Sequence, residues 1–212
     1  MLNKIISLFR KKTFPGTAQY WESRYKSGRT SGAGSYGQLA KYKADFINSF
    51  IVKNQLQSVI EYGSGDGAQL ELASYPKYIG IDISETAIEW CKEKFQSDSG
   101  KTFFVWNGRD YNWKADLALS LDVLYHLIED DTYSNYLHAL FGSALNFVII
   151  YSVDRESGTY AQHVKPRKFT ADIAKMFPDW KLILHEPNPY PLEKFGAEQG
   201  SWSDFYVYSK QS

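Results

Sequence analysis

The sequence predicts an α/β fold in which a mostly parallel sheet is covered by helices on both faces. Three observations carry this. From residue 55 onward, short apolar runs alternate with segments of helical periodicity, the pattern of strands buried on both sides. A loop with glycine at alternate positions, Gly63, Gly65 and Gly67, directly follows the first run, where a parallel sheet opens toward its ligands. The last two apolar runs are joined by "PNPYPLEKFGAEQGSW" without a helical pattern, which fits an antiparallel edge strand.

Each element has its own reason. "QLAKYKADFINSFIVKN" carries Leu39, Tyr42, Phe46, Ile47 and Phe50 at helical spacing. "LQSVIEY" reads as a short buried strand, "GAQLELASY" as a helix and "KYIGID" as a strand. "SETAIEWCKEKF" is a helix that Ser84 can cap. "KTFFVW" and "ADLALSL" are the third and fourth strands. "EDDTYSNYLHALFGSAL" is helical, with acids in its first turn where the helix dipole favours them. "NFVIIYS" is the fifth strand, "TADIAKMF" a helix stopped by Pro178, and "WKLILHE" and "SDFYVYS" the sixth and seventh strands. Ahead of them, residues 27–37, "SGRTSGAGSYG", hold four glycines and three serines; such a stretch keeps no regular structure unaided and reads as a flap. The organisation expected is residues 1–54 as N-terminal helices plus this flap over the ligand site, and 55–212 as the core.

At 212 residues the chain suits one domain. Lys plus Arg and Asp plus Glu number 24 each, so net charge is zero, which speaks against nucleic acid as the partner. Tyr and Trp are abundant, 16 and 6; they serve packing and also line pockets for small organic ligands. Cys91 is the sole cysteine, which excludes an intrachain disulfide and a thiolate metal cluster. The opening "MLNKIISLFRKKTF" is apolar then basic, the reverse of a signal peptide. One apolar face beside basic residues there is compatible with contact at a membrane surface through residues 1–14, a packing helix being the plainer reading. No run is long enough to span a bilayer, and a cytoplasmic location is expected.

The loop "EYGSGDGA" poses the functional question. It satisfies the looser dinucleotide fingerprint, and Asp82 ends the second strand where an acid would bond ribose hydroxyls. Yet Glu61 stands at the entrance and Asp66 inside, where a pyrophosphate would meet like charge at a cost of about 1 kcal/mol or more. A ligand with a ribose, a positive charge and no phosphate fits better, as S-adenosylmethionine does.

"VIEYGSGDG" resembles the first motif of class I S-adenosylmethionine-dependent methyltransferases, "YIGIDIS" their second-strand motif and "ADLALSLDVLYHL" their fourth-strand motif, over roughly residues 55–152. The resemblance implies a Rossmann-like three-layer sandwich whose seventh strand lies antiparallel between strands 5 and 6. It also implies S-adenosylmethionine as cofactor. "YWESRYKSGRTSGAGSYGQLAKYKADFIN" and "HVKPRKFT" are similar to segments of bacterial members associated with surface-glycan biosynthesis. A methyl group would pass to an oxygen or nitrogen of a small molecule or glycan precursor, the acceptor being a small molecule or saccharide.

The same resemblance places Glu61, Gly63, Gly65 and Gly67 at the methionine end, Asp82 on the ribose and Ile83 against the adenine. Asn107, with Gly108 and Asp110 as competitors, would sit near the adenine amino group. Asp122 faces the donor pocket and would hold the ammonium or act as base. His126 is the other candidate base, with a core histidine amid leucines as the bland alternative. Tyr125, Tyr151, His163 and Arg167 are candidates for the acceptor side, Arg167 for a charged acceptor; packing and a solvated basic loop are their ordinary readings. Tyr20, Trp21, Arg24 and Tyr25, ahead of the flap, would close over the cofactor. The four histidines are scattered and no metal-ligand spacing occurs, so no metal is expected. Two rivals remain at this point: an NAD(P)-linked oxidoreductase on a similar sheet, and a non-catalytic cofactor-binding partner subunit.

Overall fold

The computed structural model describes residues 14–108, 112–156 and 161–211. In chain order the elements are α1 (Thr17–Lys26), α2 (Gly37–Asn54), β1 (Val59–Tyr62), β2 (Tyr78–Asp82), α3 (Glu85–Lys94), β3 (Lys101–Val105) and β4 (Ala115–Leu121). Then follow α4 (Asp130–Ser143), β5 (Ala144–Ser152), α5 (Phe169–Met176), β6 (Trp180–Glu186), α6 (Leu192–Gln199) and β7 (Asp204–Lys210). The seven strands form one sheet in the order β3-β2-β1-β4-β5-β7-β6. Only β7 runs antiparallel, to both of its neighbours. The architecture is the Rossmann-like one expected, with β7 inside the sheet and β6 at its edge, so the antiparallel strand is internal and not the edge strand that the missing crossover suggested.

Alternate residues of the central strands feed two cores. Ile60, Ala118, Val148 and Ile150 meet Leu137, Leu140 and Phe141 of α4 and Phe169 and Ile173 of α5 on one face. Val59, Leu117, Leu119 and Ile149 meet Ile47 and Ile51 of α2 and Ile88 and Cys91 of α3 on the other. Each fully buried large side chain contributes about 1.5–3 kcal/mol. That two-sided burial is why the strands read as continuous apolar runs.

The topology also locates the crevice. From β1 the chain travels to β2 and β3 at one edge, then returns to β4 on the opposite side of β1. The loops leaving β1 and β4 therefore part in opposite directions and open a cleft at the carboxyl ends of the strands.

Two expectations need correction. Residues 67–75 do not form an α-helix: only a 3-10 turn, Gln69–Leu72, is present. Gly67 at φ +73° precedes it and Pro76 disfavours helix at Tyr75. Asn48 of α2 then takes over the backbone, bonding the Leu72 carbonyl and the Ser74 amide. The β6–β7 connection, expected to lack a helix, holds α6, broken at Gly196 with φ +71°. It makes no crossover between parallel strands; the Gln199 carbonyl accepts from Gln38 of α2, 2.7 Å away. α3 starts as expected, with Ser84 Oγ accepting from the Ala87 amide at 3.1 Å. Among the described residues, no helix is long and apolar enough to cross a membrane.

Candidate functional site

The glycine loop is bent by necessity. Gly63, Gly65 and Gly67 have φ of +88°, +57° and +73°, the left-handed region that favours glycine. A Cβ on Gly63 would stand 2.3 Å from Val123 Cγ2, and one on Gly65 would stand 2.3 Å from Ser31 Oγ. The loop is thus pressed between the turn after β4 and the serine-rich flap.

Its amides are all engaged within the protein. Gly63 and Ser64 donate to the Ile81 carbonyl, and Gly67 donates to Ser64 O. Gly65 donates to Asp82 Oδ2, Asp66 to Ser31 Oγ and Ala68 to Asp66 Oδ1. A pyrophosphate receptor needs unpaired amides and a helix N-terminus behind them. Here six successive N–H groups are taken and only a 3-10 turn follows.

The acids divide by task. Glu61, Asp66 and Asp82 are 4%, 6% and 8% exposed. Asp66 Oδ2 accepts from the Ser31 amide at 2.8 Å and the Tyr36 hydroxyl at 3.0 Å, so Asp66 fastens the flap to the loop. Glu61 accepts from the Tyr78 hydroxyl at 2.6 Å, and burial pushes its carboxyl up to about 7 in spite of that bond and of the Lys43 charge. Asp82 bonds the Gly65 and Ser84 amides, one through each oxygen, at 2.9 Å. Burial raises it to about 6 against those bonds. Each oxygen retains lone-pair capacity for a further donor.

Asp122 is held in the left-handed region at φ +59°, an uncommon state for a non-glycine residue that surrounding contacts must enforce. Lys43 of α2, itself fully buried, pairs with Asp122 Oδ2 at 2.8 Å. Tyr125 and Ser203 hydroxyls donate to Oδ1 at 3.0 and 2.8 Å. Burial and the adjoining Asp122 charge keep the Tyr125 phenol far above its usual range. One carboxylate thereby joins α2, the turn after β4 and the segment before β7. Lys43 and Ser203 were not found by sequence reasoning. Lys43 did leave a trace: it occupies the stripe Leu39, Lys43, Ile47, Ile51 at four-residue intervals, a charge on an otherwise apolar helix face.

His126 ends a 3-10 turn, Leu124–His126, and its Nδ1 lies 2.8 Å from the His163 carbonyl. A carbonyl only accepts, so the proton sits on Nδ1 and Nε2 carries the lone pair. Burial lowers the ring to about 4, leaving it neutral at pH 7. Trp21 meets it edge-on at 4.9 Å, and the His163 ring stacks at 5.5 Å and is itself stacked on Tyr20 at 4.6 Å.

These groups share a cavity of about 520 Å³, within the usual range for small-molecule sites. Glu61, Gly63, Gly65, Asp82, Ile83, Asp122, Tyr125, His126 and His163 line it, with flap residues 31–35, Trp21, Arg24, Tyr25 and Trp202. Gly67, Asn107, Tyr151 and Arg167 do not. Gly67 instead lets the loop approach Phe95 and Cys91, and Tyr151 lies buried beneath Lys43. Arg167 donates to the Leu127 and Ile128 carbonyls, pairs with Asp130 at 2.8 Å and lies over Tyr133. It braces the turn after β4, so its reading as a receptor for a charged acceptor is corrected. Asp110 lies outside the described residues, and Gly108, at φ +79°, has nothing within 4 Å of a Cβ position. No group of three metal-ligating side chains occurs among the described residues.

Residues 60–140 match the family model described as a methyltransferase domain. Solved structures share the fold at low identity. Magnesium protoporphyrin IX methyltransferase from Synechocystis, solved with bound S-adenosylmethionine, is 17% identical, with a TM-score of 0.68 over 95% of this chain and 100% of that one. The N-methyltransferase NodS from Bradyrhizobium japonicum, in complex with S-adenosylhomocysteine, is 11% identical, with a TM-score of 0.69 over 93% and 100%. A putative RNA methyltransferase from Pyrococcus horikoshii is 14% identical, with a TM-score of 0.60 over 98% and 96%. No curated protein sequence matches this chain.

Proposed function

We propose that this chain is an S-adenosylmethionine-dependent methyltransferase acting on an oxygen or nitrogen of a small molecule or glycan precursor, in a cytoplasmic setting. The observation that carries the reading is the loop after β1. Three left-handed glycines place it over the buried carboxylate of Glu61 and against Asp82, while its amides are all satisfied internally. Such a floor suits a ribose and an ammonium group and offers nothing to a pyrophosphate, which speaks against an NAD(P)-linked reaction. The match of residues 60–140 to a methyltransferase domain supports the same conclusion.

Bound S-adenosylmethionine would supply a methyl group already activated by a sulfonium, for in-line displacement by the acceptor. What remains for the protein is positioning, exclusion of water and removal of one proton. Asp82 receives the ribose hydroxyls with its remaining lone pairs, and Glu61 faces the ammonium. Ile83, which lines the cavity, packs on the adenine. Asp122, neutralised by Lys43, orients Tyr125 and Ser203 at the acceptor end instead of acting as base. His126, unprotonated at Nε2, takes the acceptor proton. Residues 14–36 form the lid, anchored by Ser31 and Tyr36 on Asp66, while α2 packs on the sheet. Glu22 of α1 anchors it again by accepting from Ser84 Oγ at 2.5 Å and Thr86 Oγ1 at 2.9 Å. A base positioned in the cavity favours an enzyme over a non-catalytic partner subunit.

Calorimetry with S-adenosylhomocysteine tests the reading. Binding is expected, and Asp82→Ala should weaken it roughly ten- to hundred-fold, the size of one or more lost charge-assisted hydrogen bonds. No binding to the unaltered protein would end it.

A further inference from the structure

We infer that Arg24 is the anion receptor of this cavity, taking a carboxylate or phosphate group of a bound ligand; the inference rests on the methyltransferase reading and extends it. Two cations line the cavity, Arg24 and Lys43. Lys43 is paired with Asp122 at 2.8 Å, and Arg167, the cation expected from sequence, is engaged outside the cavity. Arg24 has no carboxylate within ion-pair distance among the described residues, although four acids, Glu61, Asp66, Asp82 and Asp122, line the same space.

Its guanidinium is nonetheless held in place. Nε donates to the Thr30 carbonyl at 2.7 Å, and the group lies 5.6 Å from the centre of the Trp21 ring. That bond uses the inner N–H and leaves the paired terminal nitrogens, the fork that suits two oxygens of a planar anion. Gly32, at φ +109°, adjoins these nitrogens: a Cβ there would stand 3.9 Å from Nη2, in ordinary contact. The charge reaches the acceptor end as well, since it helps depress both His163 and His126 after the larger effect of burial. A pre-oriented, half-buried guanidinium without a counter-charge calls for an anion from the ligand. Two sources share that chemistry: the carboxylate of the methyl donor and an anionic group on the acceptor.

The test compares the unaltered protein with Arg24→Gln and with Arg24→Lys, thermal unfolding confirming that each is folded. Three probes are titrated: S-adenosylhomocysteine, 5′-methylthioadenosine, which lacks the amino-acid end, and inorganic phosphate or acetate added to the S-adenosylhomocysteine complex. If the donor carboxylate is the anion, Arg24→Gln weakens S-adenosylhomocysteine roughly ten- to hundred-fold, leaves 5′-methylthioadenosine unchanged, and Arg24→Lys recovers part of the loss. If the acceptor brings it, both nucleosides bind the variant normally, while phosphate or acetate binding to the complex is present in the unaltered protein and lost in Arg24→Gln. Equal loss for both nucleosides, or no change with any probe, overturns the assignment. Failure of both nucleosides to bind the unaltered protein would instead strike the methyltransferase reading.

Discussion

Glu61 should make cofactor binding depend on pH in a calculable way. Without ligand its carboxyl sits at about 7, lifted by burial. A cation placed against it favours the ionised form and would return it to 4.5 or below. Affinity then scales with the ionised fraction: about 90% at pH 8 and about 10% at pH 6, so the dissociation constant of S-adenosylhomocysteine should rise about ten-fold over that interval. Near pH 7 about half a proton should be released for each ligand bound. Calorimetry in two buffers of different ionisation enthalpy reads both quantities. Glu61→Gln is the control: titration of the ligand's own groups is common to both proteins and cancels in the ratio of constants. The ligand-free protein should show the opposite trend. A carboxyl raised above its unfolded value of 4.5 leaves the folded state holding the proton longer. Stability therefore falls as pH climbs from 4.5 through 7, by about 3 kcal/mol in total, and Glu61→Gln abolishes that component. A ratio of constants that stays flat from pH 6 to 8, with no proton released, would refute the placement of an ammonium beside Glu61.

Other consequences are equally direct. Lys43→Met strands the Asp122 carboxylate and should cost about 3 kcal/mol in urea unfolding; adding Asp122→Asn should recover part of it, whereas simple additivity would deny the coupling. His126, lowered from 6.5 to about 4 by burial, contributes a stability that is present above pH 6.5 and lost as pH falls through 4, up to about 3 kcal/mol. His126→Gln should flatten that acid limb and, where methyl transfer is followed with a labelled donor, depress kcat roughly 10²-fold or more; an unchanged kcat removes His126 as base. Gly65→Ala brings a Cβ to 2.3 Å from Ser31 Oγ and forces alanine to φ +57°. Protease cleavage within residues 27–37 should accelerate, and equal cleavage rates would show that the loop does not hold the flap.

Local features were legible in the sequence because they depend on neighbours in the chain. The strand–helix alternation, the three glycines, Asp82 at the end of β2 and the Ser84 cap all follow from patterns a few residues long, and each is found in place. The 67–75 segment misled because Gly67 and Pro76, at its two ends, outweigh its helical spacing, and Asn48 of α2 then takes up its backbone groups. What only the tertiary structure decided is which charges meet. Asp66 meets Ser31 across 35 positions, Arg167 meets Leu127 across 40, and Lys43 meets Asp122 across 79. An acid or a base in a string of letters carries no record of its partner, and the partner determines whether the group braces the fold or waits for a ligand. Arg24 and Arg167 are alike as letters; folding gave one of them Asp130 and left the other facing the cavity.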